Sequence, residues 1–376
     1  MSAHASFSAR LLAWYDRHGR RDLPWQHART PYRVWVAEIM LQQTQVAAVV
    51  PYFQRFLRRF PDLAALAAAP ADDVLQAWAG LGYYARARNL QRAAQIAVAE
   101  HGGALPAELP ALLELPGIGR STAAAVLAQA HGQRHAILDG NVKRVLARYG
   151  AVDGWPGAPA VARALWSLSE SLLPQERLAD YTQAIMDLGA TLCTARKPQC
   201  ARCPVQDGCA AHRAGRTADF PAARPRRQRP LRQAQLLLVQ DAAGRLLLER
   251  RPPAGIWGGL WCLPLAQADE DAAAFLRGAY GLHAQAGEAL PTIAHAFTHF
   301  DLHLRPLRLH VREPAGLAEQ APARWIDLAA DALPGLPAPV ARLLQQLAGK
   351  AGAAPPQGMA PATTRPRRKA VSSPST

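Results

Sequence analysis

Lysine is nearly absent from the first 225 residues of this 376-residue chain, where only Lys143 and Lys197 occur. The formal charge of +15 and the isoelectric point near 10.4 therefore rest almost wholly on arginine. A reaction that needs an amine nucleophile has little to draw on in that region. Long apolar runs are missing too: no stretch reaches the roughly 18 residues needed to span a bilayer. The first 22 residues hold Arg10, Arg17, Arg20 and Arg21 without a sustained apolar segment, which excludes a secretory signal. A soluble, cytoplasmic protein is the expectation. Cysteine is sparse at five, and one of these, Cys262, lies in the apolar–aromatic stretch 257–265, where a buried structural thiol is expected.

The other four cysteines are concentrated. Cys193, Cys200, Cys203 and Cys209 form a C-x6-C-x2-C-x5-C run able to wrap one metal centre, and an intracellular chain uses such a run for metal rather than for disulfides. The spacing alone leaves a [4Fe-4S] cluster and a tetrahedral zinc both open. Arg196, Lys197, Arg202, Arg213 and Arg216 surround the run, so the loop it ties down presents positive charge. With the overall basicity, this points to a polyanionic partner, and nucleic acid is the first candidate.

Two periodicities divide the chain. Alanine-rich amphipathic runs, such as 72–79, 86–101 and 121–130, predict an all-α half up to about residue 215. The segment 220–232 holds five arginines and three prolines and reads as an extended linker. Beyond it, short β runs at 235–240, 245–250, 293–300 and 302–311 alternate with helical patterns at 269–280 and 339–347. An α+β domain ending near residue 349 follows from this pattern. The last residues are rich in Ala, Pro, Ser and Thr, carry the basic RPRRK cluster at 365–369, and read as a disordered tail.

Three places can carry chemistry. Pro31, behind the N-cap candidate Thr30, opens a helix expected to run on through VWVAEIMLQQTQV at 34–46, and its wheel sets Glu38 on or beside the apolar face. Desolvation there raises a carboxyl pKa towards neutrality, as a proton donor at pH 7 requires; an edge position paired with arginine is the competing reading. The stretch Leu115-Pro116-Gly117-Ile118-Gly119-Arg120-Ser121-Thr122 suits a tight turn between helices that leaves backbone N–H groups free for a phosphate. About twenty residues later, Asp139 either caps the next helix or faces a cavity.

Taken together, the hairpin LPGIG, the following aspartate and the cysteine run resemble the helix-hairpin-helix superfamily of DNA base-excision glycosylases. EIMLQQTQV from Glu38, GLGYYARARN at 80–89, ILDGNVKRVLAR at 137–148 and the added C-terminal domain are similar to its adenine DNA glycosylase (MutY) branch. The resemblance implies a multidomain α and α+β fold. An all-α helix-hairpin-helix glycosylase domain spans 1–220, with its [4Fe-4S] loop at 193–209, followed by an Arg/Pro-rich linker at 221–232, a Nudix-like (MutT-type) lesion-recognition domain at 233–349 and a basic tail at 350–376. It implies a monofunctional hydrolase that removes adenine opposite 8-oxoguanine or guanine from double-stranded DNA, in a monomer associated with the bacterial nucleoid, with downstream repair proteins as further partners. Where endonuclease III-like enzymes place a Schiff-base lysine, this chain has Ser121. An endonuclease III-like pyrimidine glycosylase/lyase and a non-catalytic iron–sulfur DNA-binding protein are the alternatives.

Residue by residue, the same resemblance implies Glu38 as the acid, Asp139 as the ionised stabiliser of the sugar cation and Asn141 as an orienting group. Gln42 and Tyr83 would wedge the duplex, Gly117, Gly119 and Arg144 would contact phosphates, and Trp25 and Gln183 would border the flipped base. Phe297, Thr298 and His299 would read 8-oxoguanine, with Thr298 standing where the family usually has serine. WGGLWCLP at 257–264 is Nudix-like, yet no carboxylate-rich Nudix helix follows, so this domain is expected to bind rather than hydrolyse.

Overall fold

A computed structural model describes residues 6–225, 228–285, 287–311, 322–328, 331 and 333–347; the expected tail lies outside these. The first half is helical: α1 (Phe7–His18), α2 (Pro31–Leu41), α3 (Val46–Arg59), α4 (Leu63–Ala68), α5 (Ala71–Trp78), α6 (Ala85–Glu100), α7 (Leu109–Glu114), α8 (Arg120–His131), α9 (Gly140–Tyr149), α10 (Pro159–Ser171), α11 (Leu178–Thr191) and α12 (Ala210–Arg213). Side-chain caps set several starts, with Thr30 accepting from the Arg33 amide and Asp139 from that of Val142. The helix expected through residue 46 is broken. It stops at Leu41, Gln43 takes a φ of +58°, and a new helix starts at Val46. The polar run Gln42–Gln45 has no apolar side to bury, so it forms a corner instead of a helical turn.

The second half is a mixed sheet over β1 (Leu231–Gln240), β2 (Leu246–Arg250), β3 (Trp261–Cys262), β4 (Leu265–Gln267), β5 (Ala284–Gln285), β6 (Ile293–Ala296), β7 (Asp301–Val311) and β8 (Ala323–Ile326), with α13 (Ala272–Tyr280) and α14 (Ala338–Leu347). Its backbone order is β3-β2-β1-β7-β5, and β1 pairs with β7 in parallel from Leu231↔Asp301 to Gln240↔His310. Because β7 offers partners that far out, Leu231 and Arg232 join the sheet, although both fall in the expected linker. The strand expected at 293–300 ends at Ala296. Residues 297–300 turn instead, with the Phe297 amide donating to the Phe300 carbonyl at 2.9 Å.

Burial joins the two halves. Trp35, Phe56, Trp78 and Leu90 share one apolar cluster with Leu236, Leu248, Leu263 and Leu304 of the sheet. A second cluster gathers α1, α9 and α11 around Leu11, Leu146 and Leu188, and a third packs Leu276 and Tyr280 of α13 on the sheet.

Candidate active site

A cavity of about 910 Å³ opens where the corner after α2, the start of α8, the start of α9 and α11 meet; Glu38, Gln42, Ser121, Asp139, Asn141 and Gln183 are among its lining residues, with Trp25. Glu38 is only partly covered, since its carboxyl edge faces the cavity. Burial among apolar neighbours pushes it up to about 8, and the negative charge of Asp139 adds to the rise. Burial lifts Asp139 as well, but the backbone amides of Val142 and Asn141, the Arg144 charge and the Asn141 side chain all pull the other way. Its Oδ1 accepts from the Val142 amide at 2.7 Å and its Oδ2 lies 3.5 Å from the Asn141 Nδ2 donor. One aspartate thus caps α9 and faces the cavity at once.

Ser121 has its own task. Its Oγ accepts from the Leu138 amide at 3.0 Å and so ties down the backbone next to Asp139. Arg144, the expected phosphate contact, is also held from within the protein: its Nε donates to the Cys193 carbonyl at 2.7 Å, and its Nη2 to the Gly189 carbonyl at 2.6 Å and the Asn141 Oδ1 at 2.9 Å. Half-buried and lining the cavity, it braces Asn141 against the cysteine loop. Gly189 makes this approach feasible, because a Cβ there would lie 2.7 Å from the Asn141 Cβ.

Several residues were missed from sequence. Asp187, fully buried, is held by Arg20 through Nε at 2.9 Å, Nη2 at 2.7 Å and the backbone amide at 2.8 Å. Gln183 Nε2 donates to the same carboxylate at 2.7 Å. Arg86 lies in the GLGYYARARN run, but its partners are not visible from sequence. Its Nη1 donates to the carbonyls of Ile39, Met40 and Gln42 at 2.6–2.9 Å, and its Nη2 to the Thr44 hydroxyl at 3.2 Å and the Gly82 carbonyl at 3.1 Å. One guanidinium therefore fixes both the Gln42 corner and the loop that bears Tyr83.

Tyr83 is 48% exposed, with a φ of +50°. Its hydroxyl lies 3.5 Å from the Thr298 Oγ1, so the expected wedge and the expected lesion-reading turn meet. Thr298 and His299 are exposed, while Phe297 stacks on buried Phe300 at 4.5 Å. In the hairpin between α7 and α8, Gly117 has a φ of +84°, and a Cβ there would lie 2.9 Å from the Asn89 Cβ. Gly119 is the N-cap residue of α8. Glycine is thus required at 117 by both conformation and space.

The four cysteines ring one cavity with Arg148 and Tyr149. Buried Arg148 donates to the carbonyls of Thr194, Ala195, Thr217 and Phe220 at 2.7–3.1 Å, and to the Cys193 Sγ at 3.4 Å. Among the described residues no three His, Cys, Asp or Glu side chains converge as a single-ion site. Thiols spread around one cavity fit a cluster with separate iron corners. Burial pushes the free Cys203 thiol up to about 11 and raises Cys209, so a bound cluster would have to hold them as thiolates. Cys262 is fully buried, as expected.

The hairpin, the carboxyl pair and the cysteine loop, joined to a mixed sheet, define a helix-hairpin-helix base-excision glycosylase with an added domain. Family models agree: residues 36–171 match the HhH-GPD superfamily base excision DNA repair protein, 193–209 the iron–sulfur binding domain of endonuclease III, and 235–346 the NUDIX domain. An adenine DNA glycosylase of Buchnera aphidicola (subsp. Acyrthosiphon pisum) is 34% identical over 340 residues, 90% of this chain and 97% of that protein. One of Homo sapiens is 45% identical over 215 residues, 55% of this chain and 39% of that protein. The solved structure of a thermostable thymine-DNA glycosylase superposes with a TM-score of 0.51 at 30% identity, covering 55% of this chain and 95% of that one. This chain belongs to the adenine DNA glycosylase family, DNA-binding enzymes of base excision repair that act on an N-glycosyl bond, and its cofactor is a [4Fe-4S] cluster. No helix of the described residues is long and apolar enough to cross a membrane.

Proposed function

We propose that the chain removes adenine paired with 8-oxoguanine, or with guanine, by hydrolysis, leaving an abasic site. The observation that carries the reading is the pair of unlike carboxyl groups on one cavity. Glu38 is pushed up to about 8 and accepts from one neutral amide, whereas Asp139 accepts two backbone N–H groups beside Arg144. When the two share one proton, it belongs on Glu38. Glu38 then protonates N7 of a flipped adenine and afterwards handles the incoming water, while ionised Asp139 stabilises the oxocarbenium-like sugar. Asn141 orients Asp139, and Trp25 and Gln183 border the base.

Ser121 cannot form a Schiff base, which supports a monofunctional glycosylase over a lyase. Gly117 and Gly119 supply hairpin amides to a phosphate, and the basic cysteine loop adds charge, for a bacterial monomer working at the nucleoid. Bound by Cys193, Cys200, Cys203 and Cys209, a [4Fe-4S] cluster would hold this loop in shape, and hydrolysis itself moves no electrons. Gln42 and Tyr83 fill the duplex beside the extruded base, with Phe297, Thr298 and His299 reading its opposite partner. We assign the division of labour to 1–220 and 233–349. In single-turnover assays, Glu38→Gln and Asp139→Asn should keep duplex affinity while excision slows by about 10²-fold or more. Normal rates in either variant would refute the assignment.

A further inference from the structure

Behind Glu38 runs a chain of buried and half-buried amides, of which the excision scheme uses only Gln183, at the border of the base. Arg29 Nε and Nη2 donate to the Gln26 Oε1 at 2.9 and 2.6 Å. Gln26 Nε2 donates to the Gln129 Oε1 at 3.3 Å and the Gln183 Oε1 at 2.5 Å, and Gln129 Nε2 donates to the Glu38 Oε1 at 3.3 Å. Gln129 and Gln183 are 5% and 3% exposed.

The direction of every bond is fixed from the two ends. A guanidinium only donates, so Gln26 must turn its oxygen to Arg29 and its NH₂ group to the other two glutamines. Those must answer with oxygen, which leaves their own NH₂ groups for Glu38 and Asp187. At the far end Asp187, paired with Arg20, is an acceptor, in agreement with the direction set by Arg29.

The geometry points to Gln129 as a positioning residue that, backed by Gln26 and Arg29, confines the proton of Glu38 to Oε2. An amide N–H cannot accept a proton, so Oε1 must stay the carbonyl-type oxygen. Among the described residues no hydrogen bond is made to Oε2, which leaves that hydroxyl free for the substrate base. This rests on Glu38 being the acid. The other charged groups around it are Asp139 and Arg144 at α9, the Arg20–Asp187 pair, with Arg20 lining the same cavity, and Arg86 against the carboxyl end of α2.

The experiment is single-turnover adenine excision against pH for the cluster-loaded wild type, Gln129→Met, Arg29→Met and Glu38→Gln, with duplex affinity as the folding control. Gln129→Met keeps the side-chain length but removes the donor that holds the Glu38 anion. Its alkaline limb should therefore move to higher pH, and its plateau rate should fall by about twofold or more, as the proton occupies either oxygen and the carboxyl loses the contact that positions it. Arg29→Met, at the half-buried end of the relay, should shift the limb the same way by less. A fall in plateau without a limb shift in either variant would show a structural role only and overturn the inference, as would wild-type behaviour. If Glu38→Gln excises normally, the acid assignment itself is what fails.

Discussion

At Glu38 folding and chemistry pull against each other. Its carboxyl titrates near 4.5 in an exposed chain and about 8 in the fold, so the native state holds an extra proton between those values. A folded-state pKa raised in this way contributes stability at acid pH that is lost as pH climbs through about 8. Glu38→Gln removes the titration. Its unfolding free energy should match or exceed that of the wild type by on the order of 1–3 kcal/mol at alkaline pH, and the gap should narrow in acid. Chemical denaturation at two pH values checks this; a gap that widens in acid would contradict it. The helical wheel made Glu38 legible in sequence because Val34, Trp35 and Leu41 mark the apolar face around it. Arg20, Gln26, Arg29 and Gln129 were not legible. A polar residue whose network closes through partners such as Gln26 and Gln129, 103 positions apart, or Arg20 and Asp187, 167 apart, looks in sequence like any surface amide or arginine.

Helix α9 joins the two sites that the sequence treated separately. It begins on Asp139, carries Asn141 and Arg144 into the cavity, and one turn later sets Arg148 inside the cysteine loop. With Arg148→Met, the buried carbonyl of Phe220 and the part-buried ones of Thr194, Ala195 and Thr217 would lose their donor, at about 1–3 kcal/mol for each buried one that finds no replacement. The variant should lose stability on that scale and carry less cluster, as read by the visible absorbance of the purified protein. Full cluster content with normal stability would show that the loop holds itself. The cysteine spacing announced the metal centre, but not its clamp, since Arg148 lies 45 residues before Cys193. The corner at 42–45 was only half legible: the polar run Gln42–Gln45 hints at it, and the Arg86 guanidinium, gripping three carbonyls at the end of α2, fixes where the helix stops.

At the scale of the molecule, the sheet is seated on the glycosylase helices through Asp72. Its Oδ1 forms an ion pair with Arg250 Nη2 at 2.9 Å and its Oδ2 accepts from Trp261 Nε1 at 3.2 Å, while Arg88 donates to the Gly258 carbonyl and Gln76 to that of Leu333. This seating brings the turn at Thr298 to Tyr83. Asp72→Ala should leave excision opposite guanine nearly unchanged but lower the preference for 8-oxoguanine several-fold; an unchanged ratio of rates would separate the seating from lesion reading. Thr298→Ala with His299→Ala should lower the same ratio by removing the reading groups themselves. Either domain could be anticipated from its periodicity, because 3.6- and 2-residue repeats are local signals. Their docking could not, since it depends on an aspartate and a tryptophan 189 positions apart.

The most direct measurement is single-turnover cleavage of a duplex bearing adenine opposite 8-oxoguanine, with and without alkali, beside an oxidised-pyrimidine duplex. The expected result is a break at the adenine only after alkali, abolished in Glu38→Gln. Alkali-independent nicking of the pyrimidine duplex, or no adenine release, would contradict a monofunctional adenine glycosylase driven by Glu38.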